Sequence, residues 1–130
     1  MRRVSRLVPQ ICEALQFEHE SGVVHRDVKP ENLVLTDASG QRTMKVLDFG
    51  IAKLLADESE GEDRTRTGER LMTPEYAAPE QLLGRSADAR SDQFSLGMVL
   101  FEALTGRRPF KLEGLSPREI EDLIAYVLSL

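Results

Sequence analysis

Cysteine is almost absent. Cys12 stands alone, so no internal disulfide can form, which fits a reducing compartment such as the cytosol. Apolar neighbours at helical spacing make Cys12 read as a small buried hydrophobe. The two histidines have no second cysteine near them and give no zinc pattern. An excess of positive charge is also missing: 17 Lys and Arg against 22 Asp and Glu leave a formal net charge of −5. That balance argues against nucleic acid or an anionic membrane as partner. Arg2, Arg3 and Arg6 read as a solvated helix face. Long apolar runs are lacking as well. Leu123 to Leu130 falls far short of the roughly 20 residues of a membrane span, and no apolar segment behind the charged N-terminus makes a signal peptide. What remains, 130 residues with 41% apolar and 30% charged, suits one domain or a piece of one. The cytoplasm is the expected location, whether or not a longer parent is anchored in a membrane.

The pattern along the chain is mainly helical with one small hairpin. Val4, Leu7, Val8, Ile11, Cys12, Leu15 and His19 recur at three- and four-residue steps, the stripe of an amphipathic helix. Pro9 predicts a kink or a fresh start near residue 9, and Gly22 a left-handed end. His25 to Asn32 has no period and reads as an ordered loop. Leu33–Thr36 and Met44–Leu47 flank a turn-rich Asp37–Arg42 and predict a β-hairpin. Asn32 enters that hairpin and Asp48 leaves it. Antiparallel pairing, with strands about 4.8 Å apart, therefore returns two oxygen-bearing side chains to one end. Such a pair suits a hard cation.

Residues 56–70 are charged, small and aperiodic, the composition of a mobile surface segment. Asp92 is expected to cap a helix closed by Gly106; its apolar residues point all round, which predicts burial on every side. Ser116-Pro117-Arg118-Glu119 is a capping box, and Ile120, Leu123, Ile124 and Val127 mark one face of the helix it opens. His19, on an apolar helix face, is read as a satisfied core histidine.

Three short stretches carry chemistry. His25-Arg26-Asp27-Val28-Lys29-Pro30-Glu31-Asn32 resembles the catalytic loop of protein kinases, and Asp48-Phe49-Gly50 their magnesium motif. Thr73 to Glu80 is similar to the end of a kinase activation segment. Ser91-Asp92 through Gly97 resembles the central helix of the family, and Thr105 to Phe110 the segment after that helix. Val46 to Lys53 looks most like the bacterial serine/threonine branch. The likeness runs to about residue 124, with order and context in agreement.

The resemblance implies a truncated C-terminal lobe of the protein-kinase fold over residues 1–130, with the catalytic loop at 25–32, the magnesium motif at 48–50, the activation segment at 48–80 and a buried helix at about 92–105. It implies ATP and Mg²⁺ as cofactors and a protein Ser/Thr hydroxyl as acceptor. Phosphoryl transfer asks for in-line positioning and charge neutralisation. Asp27 is then the residue that orients the hydroxyl or takes its proton, Lys29 the cation beside the transferred phosphoryl, and Asn32 and Asp48 the metal ligands. Thr73 is expected near Asp27, helping to hold the peptide. Alone, an aspartate or asparagine in a loop is a turn residue; the matched neighbours weigh the other way. His25, Phe49, Gly50, Glu80 and Asp92 are structural support, Asp92 by bracing the catalytic-loop backbone. Arg26 implies regulation by a phosphorylated Thr65 or Thr67, with Thr67 ahead.

Some family features are not found in these residues. No glycine-rich loop, strand lysine or bracing glutamate precedes residue 25, so the N-terminal lobe is expected elsewhere in the parent. Glu80 is expected to lack its usual arginine partner, and Met72 stands where the family has glycine. A cut kinase, and an inactive remnant serving as an interaction module, both fit the sequence.

Overall fold

A computed structural model describes residues 4–47 and 74–130. The first element, α1 (Val4–Glu20), runs unbroken through Pro9, so neither a restart at residue 9 nor an interruption is seen. Proline removes a single backbone bond in the second turn, and the later turns are anchored by the buried Ile11 and Leu15. Cys12 is exposed, contrary to its reading as a core hydrophobe. One residue step is about 100° of helix rotation, so burying Ile11 turns its neighbour away from the core. Gly22 has φ 80°, with its N–H bonded to the His19 carbonyl and that of Val23 to Glu18. That pair of bonds is the Schellman closure a left-handed glycine allows.

The hairpin is longer and its turn tighter than the composition implies. Strands β1 (Leu33–Ala38) and β2 (Gln41–Val46) pair antiparallel, Leu33 opposite Val46 and Ala38 opposite Gln41. Only Ser39 and Gly40 turn the chain, at φ 56° and 78°. Two positive φ angles make the primed turn whose twist matches the strands. Asp37 and Arg42, read as turn residues, are a cross-strand pair instead, with Arg42 Nε 3.3 Å from Asp37 Oδ2. The hairpin is tied to α1 by Gln10, whose Oε1 accepts from the Met44 N–H at 2.8 Å.

Beyond residue 73 come a 3-10 turn at Pro74–Tyr76, a short α2 (Pro79–Leu82), the long α3 (Ala89–Thr105) and α4 (Pro117–Ser129). The cap of α3 is Asp88, not Asp92: Asp88 Oδ1 accepts from the Arg90 N–H at 2.8 Å, and Ser91 bonds back to the Asp88 N–H. Asp92 lies one turn in, which frees its carboxylate for other work. Nor is α3 buried all round. Ser91, Asp92, Ser95, Leu96, Met98 and Val99 face inward, whereas Phe101 and Leu104 are 44% and 56% exposed. Among the described residues the helix packs on one side, and apolar content alone does not reveal how many sides are covered. Gly106 closes it at φ 72°. Helix α4 opens with the expected capping box, Glu119 Oε2 accepting from the Ser116 N–H and hydroxyl at 2.8 and 2.7 Å. These two bonds hold the Glu119 carboxyl below its ordinary pKa. Among the described residues no helix is long and apolar enough to cross a membrane.

Among the described residues the core has two clusters. Ile11, Leu15, Val28 and Leu96 form one, joined by Met44 and Val46; Tyr76, Met98 and Val99 form the other, joined by Phe94 and Phe110. Leu33 packs against both, at the point where the loop enters the hairpin. The Tyr76 hydroxyl donates to Glu102 Oε2, and Arg108 sits 5.5 Å above the Tyr76 ring, near Glu102 and Glu75. Burial, then this bond to Glu102, pushes the Tyr76 hydroxyl above its ordinary pKa.

Asp92 is the polar centre of the fold. Its side chain is completely buried, and it accepts from the His25 N–H and the Arg26 N–H at 2.8 Å each and from His19 Nε2 at 2.7 Å. A buried donor left without its acceptor is costly, so Asp92→Ala is expected to lose on the order of 3 kcal/mol in denaturant unfolding. Asp88→Ala, which removes only a cap, should lose about 1 kcal/mol in the same assay. Glu119 gives a pH prediction. Its folded pKa lies below the unfolded one, so its contribution is full above the ordinary glutamate range and fades as pH falls through the folded value. Amide exchange in the first turn of α4 should therefore quicken, relative to the intrinsic rate, below about pH 4, and Glu119→Gln should flatten that change.

Candidate active site

The loop between α1 and β1 is held by its backbone before any side chain acts. Val28 is buried and plugs the loop into the first core cluster. Arg26 has φ 72°, a left-handed conformation that is strained for a residue with a side chain. The Asp92 carboxylate spans the two preceding amides and keeps the backbone there. His25, with no exposed surface, works beside it. Its Nδ1 faces the Asp27 N–H at 3.1 Å and so accepts; Nε2 must then carry the hydrogen and donate to the Leu47 carbonyl at 2.6 Å. The ring is thus a neutral link between the loop and the exit of the hairpin.

This packing sets Asp27, Lys29 and Asn32 side by side. Lys29 Nζ lies 3.1 Å from Asp27 Oδ2, both side chains 24% exposed, open enough to meet a ligand. Pro30 to Asn32 form a 3-10 turn that brings Asn32 back toward Asp27. Asn32 Nδ2 donates to the Asp27 backbone carbonyl at 2.8 Å and to its carboxylate at 3.4 Å. Both partners are acceptors, so the amide has one sensible orientation. Its oxygen, Oδ1, is then the end left for another group, with no hydrogen-bond partner among the described residues.

The mouth of the hairpin completes the geometry. Leu47 N–H donates to the Asn32 carbonyl at 2.8 Å, one step beyond the last ladder pair. Residue 47 is therefore held beside residue 32 in space. Asp48, Phe49, Gly50, Thr65, Thr67, Met72 and Thr73 lie outside the described residues. Among the described residues no group of three or more His, Cys, Asp or Glu gathers as a metal site. Mg²⁺ does not need one: it keeps several waters and binds through one or two protein oxygens plus phosphate oxygens. A neutral amide oxygen such as Asn32 Oδ1 fits that donor set.

Around these three residues stands a set of supporting contacts. Glu80, expected to lack its usual arginine, accepts instead from the Ser91 hydroxyl at 2.5 Å, which ties α2 to the start of α3. His19, read as a satisfied core histidine, is half-buried and satisfied by Asp92. Gln81 escaped the sequence reading altogether. It is 3% exposed, takes the Ala78 N–H on its oxygen at 3.0 Å and donates from Nε2 to the Arg26 carbonyl at 2.9 Å. A glutamine among exposed-type residues gives no periodic or motif signal for this. Only the fold brings it to Arg26.

Comparison with known proteins agrees with this geometry. The model of the protein kinase domain matches residues 1–127. The chain is 49% identical over 114 residues to serine/threonine-protein kinase Pkn1 of Myxococcus xanthus, which covers 87% of this chain and 16% of that protein. It is 47% identical over 109 residues to serine/threonine-protein kinase PknB of Mycolicibacterium smegmatis, covering 84% of this chain and 17% of that protein. The chain thus spans about a sixth of the length of these curated relatives. With a catalytic-loop motif, a hairpin at its exit and a family match over nearly every residue, the chain belongs to the protein kinase family, on its bacterial serine/threonine branch.

Proposed function

We propose that residues 1–130 form the catalytic and acceptor side of a serine/threonine protein kinase, moving the γ-phosphoryl group of ATP to a protein hydroxyl. One observation carries this reading: Lys29 and Asn32 both converge on Asp27, while Asn32 Oδ1 and Asp27 Oδ1 have no hydrogen-bond partner among the described residues. Asp27 accepts a hydrogen bond from the substrate hydroxyl, aims its oxygen and takes its proton as the new P–O bond forms and the bond from the γ-phosphorus to the bridging oxygen breaks, releasing ADP. Lys29 offsets negative charge on the transferred group. Its contact with Asp27 Oδ2 keeps it at hand without closing the site. Asn32 Oδ1 and Asp48 hold the metal, and Thr73 steadies the peptide. When bound, Mg²⁺ supplies charge neutralisation to the phosphate oxygens. The lobe that encloses adenine is contributed by the parent protein outside these residues, and the reaction runs in the cytoplasm. Phosphorylation of Thr67 or Thr65 recruits Arg26 and orders the activation segment.

Phosphate transfer from labelled ATP, measured on the full-length protein with a generic protein substrate, tests the reading. Asp27→Asn is expected to lower kcat by about 10³ while leaving the KM for ATP within a few-fold. Wild-type turnover in that variant sinks the assignment. Asn32→Ala should raise the Mg²⁺ concentration needed for half-maximal rate, whereas an unchanged requirement removes Asn32 from the metal. For the regulatory step, mass spectrometry of the active protein should find phosphate on Thr67 or Thr65. Full activity of the double alanine variant rules that step out.

A further inference from the structure

The site has one joint that its motif residues secure at one end only. Asp27 comes directly after Arg26, whose φ of 72° puts the connecting peptide group in an orientation that ordinary residues leave readily. The direction of the Asp27 side chain depends on how that peptide group is turned. Its N–H end is held by His25 Nδ1. Its carbonyl end, the Arg26 oxygen, is held by Gln81 Nε2 at 2.9 Å, 55 residues away in sequence. Asp92 grips the amides before it, not this one.

The chemistry of Gln81 is specific. Its oxygen must accept, because it faces the Ala78 N–H, and its nitrogen must donate, because it faces a carbonyl. A carboxylate can do only the first and an ammonium only the second. At 3% exposure, water is poorly placed to replace either bond. The amide also joins two parts of the site: Ala78 leads into α2 from the segment that begins at Thr73, and Arg26 leads into Asp27.

We propose that Gln81 is a positioning residue for Asp27, fixing the Arg26–Asp27 peptide group and coupling it to the substrate-side segment at Ala78. The inference rests on the kinase reading above, and the test separates the two. Gln81→Glu keeps the acceptor for Ala78 but as a carboxylate cannot donate to Arg26; Gln81→Met keeps the shape and has neither group. In the full-length protein both variants are expected to lower kcat about tenfold, with the KM for ATP unchanged. A glutamate buried here has a raised pKa, and once protonated it regains an O–H donor for the Arg26 carbonyl. The ratio of Gln81→Glu to wild-type rate should therefore rise between about pH 8 and about pH 6, while the Gln81→Met ratio stays flat. A role limited to stability moves the melting temperature and gives no such rise. Should Gln81→Met fail to fold, the Gln81→Glu profile alone decides. A kcat within twofold of wild type, or a flat Gln81→Glu ratio, overturns the proposal while Asp27→Asn remains inactive. Activity in Asp27→Asn overturns the kinase reading itself.

Discussion

A carboxylate with no access to water, sitting one turn inside a helix, has to find donors within the protein or destabilise it. Asp92 finds three, from two backbone amides of the loop and one imidazole of α1. Of the three valines in loop 21–29 only Val28 is fully buried, and the backbone at Arg26 is in a conformation it would not choose alone. The carboxylate ties this loop to the most deeply packed helix and to the helix before it. The arrangement of Asp27, Lys29 and Asn32 results from that tie, because a site exposed to solvent takes its precision from what lies beneath it.

Above the carboxylate the polar groups are matched in series. His25 links the loop to Leu47, Asn32 links Asp27 to the hairpin entrance, and Gln81 links Arg26 to Ala78. Among the described residues no buried side-chain polar atom is left without a partner. Apolar contacts then set the distances between elements. Leu33 belongs to both core clusters and stands next to Asn32 in sequence, so packing and chemistry meet at adjacent residues. The surface pairs around Arg108 add little stability, but they orient the Pro74–Tyr76 turn against α3.

Much of this was legible without coordinates. The stripe on α1, the left-handed Gly22, the Ser116 box and the hairpin between residues 33 and 47 rest on local rules of spacing, capping and turn chemistry, and those rules act over a few residues. The loop motif was legible because its residues are contiguous. Cys12, the all-round burial of α3 and the Asp92 cap were misread for a common reason. Each asked which direction a side chain faces, and in a helix that is set by what packs against it.

The amino-acid order alone determined the element types, the loop that carries Asp27, Lys29 and Asn32, and membership of the kinase family, because these depend on neighbours in sequence. The tertiary structure decided which side of α3 is covered, that Asp88 and not Asp92 caps that helix, and that Gln81 reaches Arg26. Those outcomes depend on burial, and burial is a property of the assembled chain: a polar side chain becomes a brace only when packing removes the water that would otherwise satisfy it.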